Sequence, residues 1–220
     1  MKTTLFRDLL IALLFMIAAT GCKTDARLYR MSVTPAPEPA SHLDPSGKAV
    51  TFEGHGIWGA LMPLPFATLD VPSDIDRRWN FDNPFAGLYP KHKEPIAFYL
   101  IMENRSNGAI SFNPSAAFSL MLEGWPLFQL EYDDFYQALY GTPGSEHRLD
   151  GMEKMLLRSY ITLQPGEHIR GLLLFKRPEP GARQAKELTF RIRRIFAGKE
   201  DVDFLLPFCI TMEKIPHSTP

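Results

Sequence analysis

Residues 96–104 read Ile-Ala-Phe-Tyr-Leu-Ile-Met-Glu-Asn, and this stretch says most about the fold. Ile96, Phe98, Leu100 and Met102 alternate with a second set of side chains that is also largely apolar, namely Ala97, Tyr99 and Ile101. An alternation with period two is typical of a β-strand. Since both faces are apolar, we expect this strand to lie in the centre of the fold.

The same period returns along most of the chain after Lys48. Further strands are predicted around Val50–Phe52, Ala117–Glu123, Tyr160–Leu163, His168–Lys176, Leu188–Arg193 and Val202–Ile210. Seven or eight short strands separated by turn signals are typical of an all-β antiparallel sandwich. The sequence therefore predicts a mainly β fold.

The stretch Leu163–Phe175 adds a turn and a resemblance. In Gln164-Pro165-Gly166-Glu167 the proline presets φ and the glycine permits a positive φ, which predicts a hairpin between the strands on either side. The stretch resembles the Leu-x-Pro-Gly-Glu…Gly…Phe hairpin of secreted immunoglobulin-like domains. This resemblance implies an immunoglobulin-like β-sandwich, a fold used mostly by binding or structural modules, although a fold alone does not determine function.

Two stretches interrupt the β pattern. Leu61–Lys93 contains five prolines and is interpreted as an ordered irregular loop that wraps the sandwich. Trp125–Arg158 is interpreted as an insert with one or two short helices, the first over Asp133–Tyr140 and the second over Leu149–Arg158. Acidic residues at the start of the first helix and Gly141 after it favour these helix ends.

The N-terminus has the order of segments that export signals have. Lys2 and Arg7 precede the apolar run Leu9–Ile17, which is shorter than the roughly 20 residues that a membrane span needs. The small residues Ala18-Ala19-Thr20-Gly21 then lead to Cys22. Residues 1–22 resemble the signal peptide and lipobox of bacterial lipoproteins, with Ala19 where leucine is commonest.

This resemblance implies a lipid anchor and a location. In that family the signal is cut before the cysteine, whose thiol receives a diacylglycerol, and the new amine is usually acylated. Two or more chains hold a protein stably on a membrane. Lys23 stands where aspartate favours retention at the inner membrane. The resemblance therefore implies an outer-membrane lipoprotein, expected to face the periplasm.

The chain divides into three predicted parts. Residues 1–21 are the signal peptide, residues 22–47 the lipidated cysteine with a disordered proline-rich tether, and residues 48–215 the β-sandwich domain. Pro-rich linkers extend by about 3.1 Å per residue, so this tether would hold the domain away from the membrane surface.

Charge and cysteine content restrict the partners. Removal of residues 1–21, which contain two basic residues and one acidic residue, leaves 22 basic and 24 acidic residues. A nearly neutral chain gives no reason to expect a nucleic-acid partner, which requires a basic surface. With Cys22 lipidated, Cys209 has no partner for an internal disulfide. Its apolar neighbours predict a buried thiol.

No pattern points to catalysis, a cofactor or a metal. The six histidines lack ligand spacing, and no serine elbow or phosphate loop occurs. Asp70, Asp74, Asp76 and Asp82-Asn83 do not have the spacing of a calcium-binding loop and are interpreted as a solvated loop with local salt bridges. Glu131, Asp133 and Asp134 are candidates for glycosidase carboxylates, but Asp133 and Asp134 are adjacent and are interpreted as acids at a helix start.

The insert supplies the candidate binding residues. Tyr132, Phe135, Tyr136 and Leu139 form one stripe at helical spacing, which we expect to pack on the sandwich. Trp125, Phe128 and Tyr140 lie off the stripe and are our candidates for partner binding, since exposed aromatic residues are enriched at interface hot spots. We therefore expect a non-catalytic module that binds an envelope protein or polysaccharide. The alternative is an envelope hydrolase whose carboxylate and histidine side chains converge only on folding.

Overall fold

The structure, a computed structural model, describes residues 29–36, 43–73, 76, 82–178, 187–197 and 200–214. Arg30–Glu213 form one compact unit. The signal sequence and Cys22 lie outside the described residues.

Two antiparallel sheets contain the strands of the described residues. The large sheet has the order β1, β12, β11, β5 and β9, and β6 pairs with both β11 and β7. Its strands are β1 (Tyr29–Pro35), β5 (Ile110–Phe112), β6 (Phe118–Leu122), β7 (Trp125–Leu127), β9 (Ile161–Leu163), β11 (Glu187–Ala197) and β12 (Glu200–Lys214). The small sheet has the order β2 (Val50–Gly54), β3 (Ile57–Leu64), β4 (Ile96–Asn104), β10 (His168–Phe175) and β8 (Gln129–Leu130).

The inner faces of the two sheets enclose the main core. Phe98 of the small sheet lies at its centre, with its ring centroid 5.3 Å from that of Phe190 and 5.0 Å from that of Phe208, both on the large sheet. Phe175 contacts Phe190 across the same space at 5.8 Å. Apolar side chains from two sheets that interdigitate in this way form a β-sandwich. The predicted mainly β antiparallel sandwich is confirmed.

The small sheet is covered on its outer face as well. The helices are α1 (Pro114–Ala117), α2 (Tyr132–Leu139) and α3 (Ser145–Met155), with a 3₁₀ turn at Lys91–Lys93. Side chains of α2 and α3, together with the segments on either side of Asp76, form a second core with Ala97, Tyr99 and Leu172. Strand β4 is therefore apolar on both faces because both faces are covered, as its sequence predicts.

The second helix of the insert begins and ends earlier than Leu149–Arg158. Gly144 adopts a φ of 76° directly before α3, and this backbone turn sets its start at Ser145. Its end is determined by Leu156, which leaves the helix to form a parallel bridge with Leu172 of β10. Pairing with the sheet overrides helix propensity here.

The predicted hairpin between residues 160–163 and 168–176 is wrong, although its turn forms. Gly166 has a φ of 81°, and the Glu167 N–H donates to the Gln164 carbonyl at 2.9 Å. The two strands nevertheless enter different sheets, since β9 pairs with β5 and β10 pairs with β4 and β8. The turn connects the two layers of the sandwich, a distinction that a local turn signal cannot make.

Two predicted boundaries also change. Tyr29–Pro35 form β1 beside β12, and Met31 and Val33 pack against the main core, so the disordered tether predicted for residues 22–47 is wrong at these positions. The irregular loop predicted for Leu61–Lys93 begins only after β3 ends at Leu64, because residues 61–64 pair with β4.

Cys209 is partly exposed rather than buried. It lies in β12 between Phe208 and Ile210, which both face the main core. Successive side chains of a strand point to opposite faces, so the thiol points to the outer face of the large sheet. The prediction of a buried thiol followed local hydrophobicity and neglected this alternation.

Candidate functional site

The insert begins with a tight hairpin that presents Trp125. Glu123 and Gly124 both have positive φ, 48° and 83°, which is the backbone of a two-residue hairpin turn. The turn pairs Trp125 with Leu122 at the edge of the large sheet. Since β7 is an edge strand and no described ring contacts Trp125, its indole is 78% exposed.

Phe128 occupies the point where the chain changes sheets. Leu127 still pairs with Leu120 of the large sheet, whereas Gln129 already pairs with Phe175 of the small sheet. The Phe128 carbonyl accepts a hydrogen bond from the Lys176 N–H at 2.7 Å, which fixes the backbone of this crossing. The phenyl ring at this crossing is 62% exposed.

Three tyrosines follow one another at intervals of four residues along α2 and its C-terminal cap. Phe135 and Leu139 are buried in the second core and Tyr132 packs against it, so these three residues of the predicted stripe cover the outer face of the small sheet. The prediction is wrong for Tyr136, which is 43% exposed. The rings of Tyr132, Tyr136 and Tyr140 follow one another at centroid distances of 6.3 and 5.7 Å, and we call this row the tyrosine ladder. Tyr140 ends the ladder and is 75% exposed.

The three candidate residues are therefore all exposed, but they belong to different elements. Trp125 lies at the edge of the large sheet, Phe128 lies at the crossing between the sheets, and Tyr140 caps the end of α2. The structure places no described ring contact between Trp125 and Tyr140. Their role in binding stays a prediction.

A cleft of about 240 Å³ is lined by Tyr132, the first residue of the tyrosine ladder, and by Gln129, which follows Phe128 in the chain. The residues on its walls come from the end of the crossing, the first turn of α2 and the segment after α3, with Asn113 and Ser115 closing the side of the large sheet. Its polar and charged walls include Gln129, Glu131, Tyr132, Asp133, Arg158 and Ser159. Apolar contributions come from Leu130, Leu156, Leu157, Leu172 and Leu173.

Two features of the cleft are energetically unfavourable unless they are compensated. Within the described residues, the side-chain oxygen Oε1 of Gln129 is buried and has no hydrogen-bond partner. An unpaired buried acceptor costs about 1–3 kcal/mol. Ser159 has a φ of 66°, a region that residues other than glycine seldom adopt. Such features are enriched at ligand sites.

The charges around the cleft are unequally engaged. Arg158 forms an ion pair with Glu153, and its guanidinium lies 4.8 Å from the ring centroid of Tyr132. The Asp134 carboxylate accepts the backbone N–H of Glu131 at 2.8 Å, which caps α2. The Glu131 carboxylate completes this capping box by accepting the backbone N–H of Asp134. The interpretation of Asp133 and Asp134 as helix-start acids is thus confirmed, and Glu131 and Asp133 lie exposed on the cleft wall.

Asp76 forms a salt bridge with a residue far along the chain rather than within its own loop. Its buried carboxylate lies 2.6 Å from the Arg170 guanidinium and accepts a hydrogen bond from the Tyr99 hydroxyl. Burial, followed by this hydrogen bond and the charge of Asp76, raises the pKa of Tyr99. The salt bridge of Asp76 thus reaches β10, 94 residues along the chain, and attaches its segment to the small sheet.

No metal centre is found in the part of the chain that the structure describes, since no three His, Cys, Asp or Glu side chains cluster there. Asp74 lies outside the described residues. Among the described helices, none is both long and apolar enough to cross a membrane.

Comparison with known proteins gives little further guidance. No protein-family model and no curated protein matches this chain. Among solved structures, the chain is similar to the YjhA protein from Bacillus subtilis with 15% sequence identity and a TM-score of 0.41, over 70% of this chain and 93% of that one.

Proposed function

We propose that the protein is a lipid-anchored lipoprotein of the cell envelope that acts as a non-catalytic binding module. The sandwich supports three exposed aromatic side chains on different elements of the insert, Trp125, Phe128 and Tyr140, and these bind the partner. The anchor is Cys22, and the membrane is the outer membrane, with the domain facing the periplasm.

The exposure of the aromatic side chains is the observation that carries the binding role. Large apolar side chains are normally buried, and Trp, Tyr and Phe are enriched at the centres of interfaces. Each of the three residues is more than 60% exposed, although the same segment buries Phe135 and Leu139. The segment therefore has buried side chains that support it on the sandwich and exposed rings that a partner can contact.

The order of segments in residues 1–22 supports the anchor. A short basic start, an apolar run and small residues before Cys22 match a lipoprotein signal. With two or more acyl chains the protein would stay on the membrane at high salt, because apolar burial is not weakened by salt screening.

The two cysteines provide a matched test of the anchor. In cells grown with labelled palmitate, the wild type and Cys209→Ser should incorporate label and partition into the detergent phase. Cys22→Ser should incorporate none and stay in the aqueous phase or keep its signal. Labelling of Cys22→Ser at the wild-type level would refute the anchor.

The binding role is tested by a photoreactive amino acid placed at single positions in living cells. We expect cross-linked envelope adducts from positions 125, 128 and 140. Tyr160 is the control, since it is a 66% exposed aromatic residue outside the insert. Equal cross-linking at Tyr160, or none at the three positions, would contradict the proposed surface.

A further inference from the structure

We infer that the short link between Cys22 and β1 holds one end of the sandwich against the bilayer surface, namely the end at which β1 begins and β12 ends. This inference rests on the proposed lipid anchor, for which it names the part of the domain that meets the lipid. The long tether expected from the sequence is replaced by a link of a few residues.

The length of chain between the anchor and the fold limits their separation. Strand β1 begins at Tyr29, so six residues separate it from Cys22. An extended chain spans at most about 3.6 Å per residue, so the first residue of β1 lies within about 25 Å of the acylated cysteine. The prolines between residues 22 and 47 begin at Pro35, the last residue of β1, and therefore add nothing to this link.

The pairing of β1 defines which end of the sandwich this is. At the end of β1, the Ala36 N–H donates to the Pro207 carbonyl of β12 at 3.2 Å. In this antiparallel sheet, residues before Ala36 lie beside residues after Pro207, which places Val33 opposite Ile210. Both side chains face the main core, as side chains directly opposite each other on one face of a sheet do. The start of β1 therefore lies beside the end of β12.

The far end of the large sheet carries the start of β12 and the turn before β5. Ala197 pairs with Glu200, the first residue of β12, and with Ile110, the first residue of β5. Asn107 lies in the exposed turn just before Ile110. Along the strands, at about 3.3 Å per residue, this turn is about 35 Å from Ser32 in β1. An anchor before Tyr29 therefore holds the two ends at different distances from the membrane.

The charge of the link suits a lipid surface. Residues 23–30 contain one acidic residue, Asp25, and three basic residues, Lys23, Arg27 and Arg30. Anionic headgroups attract basic segments that lie directly beside a membrane anchor. The link therefore draws the start of β1 toward the lipid.

The hairpin turn that presents Trp125 closes toward the same end. Trp125 pairs with Leu122, the last residue of β6, and Leu122 pairs with Leu188 near the start of β11. Leu188 pairs in turn with Phe208, which lies about 20 Å from the end of β12 along the strand. A partner of Trp125 is therefore met on the membrane side of the domain.

The test uses the full lipidated chain with Cys209→Ser, reconstituted in vesicles of phosphatidylethanolamine and phosphatidylglycerol. Ser32→Cys and Asn107→Cys each provide one thiol for a donor dye, because Cys22 is acylated and both positions are exposed. The acceptor dye is attached to a lipid headgroup. Energy transfer to the lipid should be at least about twofold more efficient from position 32 than from position 107, because the positions are about 35 Å apart.

A spacer changes the link without changing the domain. A Gly-Ser insertion of about 20 residues between Thr24 and Asp25 adds a flexible segment with an r.m.s. length of about 25 Å. Transfer from position 32 should then fall by at least about half, because the donor moves away from the acceptor plane. The same insertion after Pro220 is the matched control and should leave the transfer unchanged.

Equal transfer from the two positions, or unchanged transfer after the link is lengthened, would overturn the inference. Strong transfer between donor-labelled and acceptor-labelled copies at position 32, with weak transfer to lipid, would assign this end to a second copy and would also overturn it. If Cys22 incorporates no palmitate, the proposed anchor and this inference are both wrong. If Cys22 is labelled but the two positions give equal transfer, the anchor stands and only this inference is wrong.

Discussion

Replacement of Arg170 by methionine should destabilise the fold strongly, because the guanidinium compensates a buried carboxylate. Both carboxylate oxygens of Asp76 lie 2.6 Å from the Arg170 guanidinium, and Asp76 is only 8% exposed. Removing one partner of a buried ion pair costs about 3–5 kcal/mol. Since the Arg170 side chain is 32% exposed, water offsets part of the loss, and we expect the lower end, about 3 kcal/mol.

This loss converts into a measurable shift of the melting temperature. For a domain of this size each kcal/mol corresponds to about 2–4 °C, so Arg170→Met should melt about 6–12 °C below the wild type by circular dichroism. Asp76→Asn in the Arg170→Met background should recover part of the loss, because it removes the buried charge that Arg170 had compensated. Arg191→Met is the control, since its ion pair with Asp203 is exposed and such pairs contribute about 0–1 kcal/mol.

Two outcomes would refute this reasoning. A melting temperature of Arg170→Met equal to that of Arg191→Met would mean that the Asp76 contact contributes no more than a surface pair. A further fall on adding Asp76→Asn would mean that the carboxylate stabilises the fold through contacts other than its charge pair with Arg170.

Three further predictions concern the same domain. A chain that begins at Lys48 should melt at a lower temperature and associate more readily than one that includes β1, because β12 would lose its neighbour and expose an unpaired strand edge. Equal stability and solubility of the two chains would contradict the structural role of β1. The thiol of Cys209 should react with iodoacetamide in the folded protein, though more slowly than after unfolding. Labelling only after unfolding would mean that the thiol is buried. Burial and Asp76 raise the pKa of Tyr99, so the folded state keeps the phenol proton at a pH at which the unfolded state has lost it. The free energy of unfolding should therefore fall above about pH 10, by up to about 1.4 kcal/mol per pH unit. Urea titrations from neutral to alkaline pH should show a smaller fall for Tyr99→Phe than for the wild type, and an equal fall would assign the effect to another group.

Much of the secondary structure could be predicted because it depends on local periodicity. The alternation in Ile96–Met102 indicates a strand with two covered faces, and Phe98 and Tyr99 indeed enter different cores. Acids before an apolar stripe indicate α2, which starts at Tyr132 and is capped by Asp134. In both cases the residues that form the element also carry the pattern that predicts it.

The candidate site could be predicted only in part. The segment with Trp125, Phe128 and Tyr140 stands out by composition, and its three rings are exposed. The cleft could not be found in the sequence, because its walls join Gln129, Asp133 and Arg158, which approach one another only after the insert has folded back. The unpaired oxygen of Gln129 has no sequence signal at all, since the burial of one side-chain atom in β8 depends on the segments that pack over it.

By itself the sequence determined the β class, the central strand, the turn at Gly166 and the aromatic character of the insert, because each depends on neighbours within a few residues. Only the tertiary structure decided that the turn at Gly166 connects two sheets and that Asp76 meets Arg170 across 94 residues. It also decided that β1 completes the large sheet. Strand pairing and ion pairing between distant segments depend on which backbone edges and charges the packed layers bring together, and no local pattern encodes that choice.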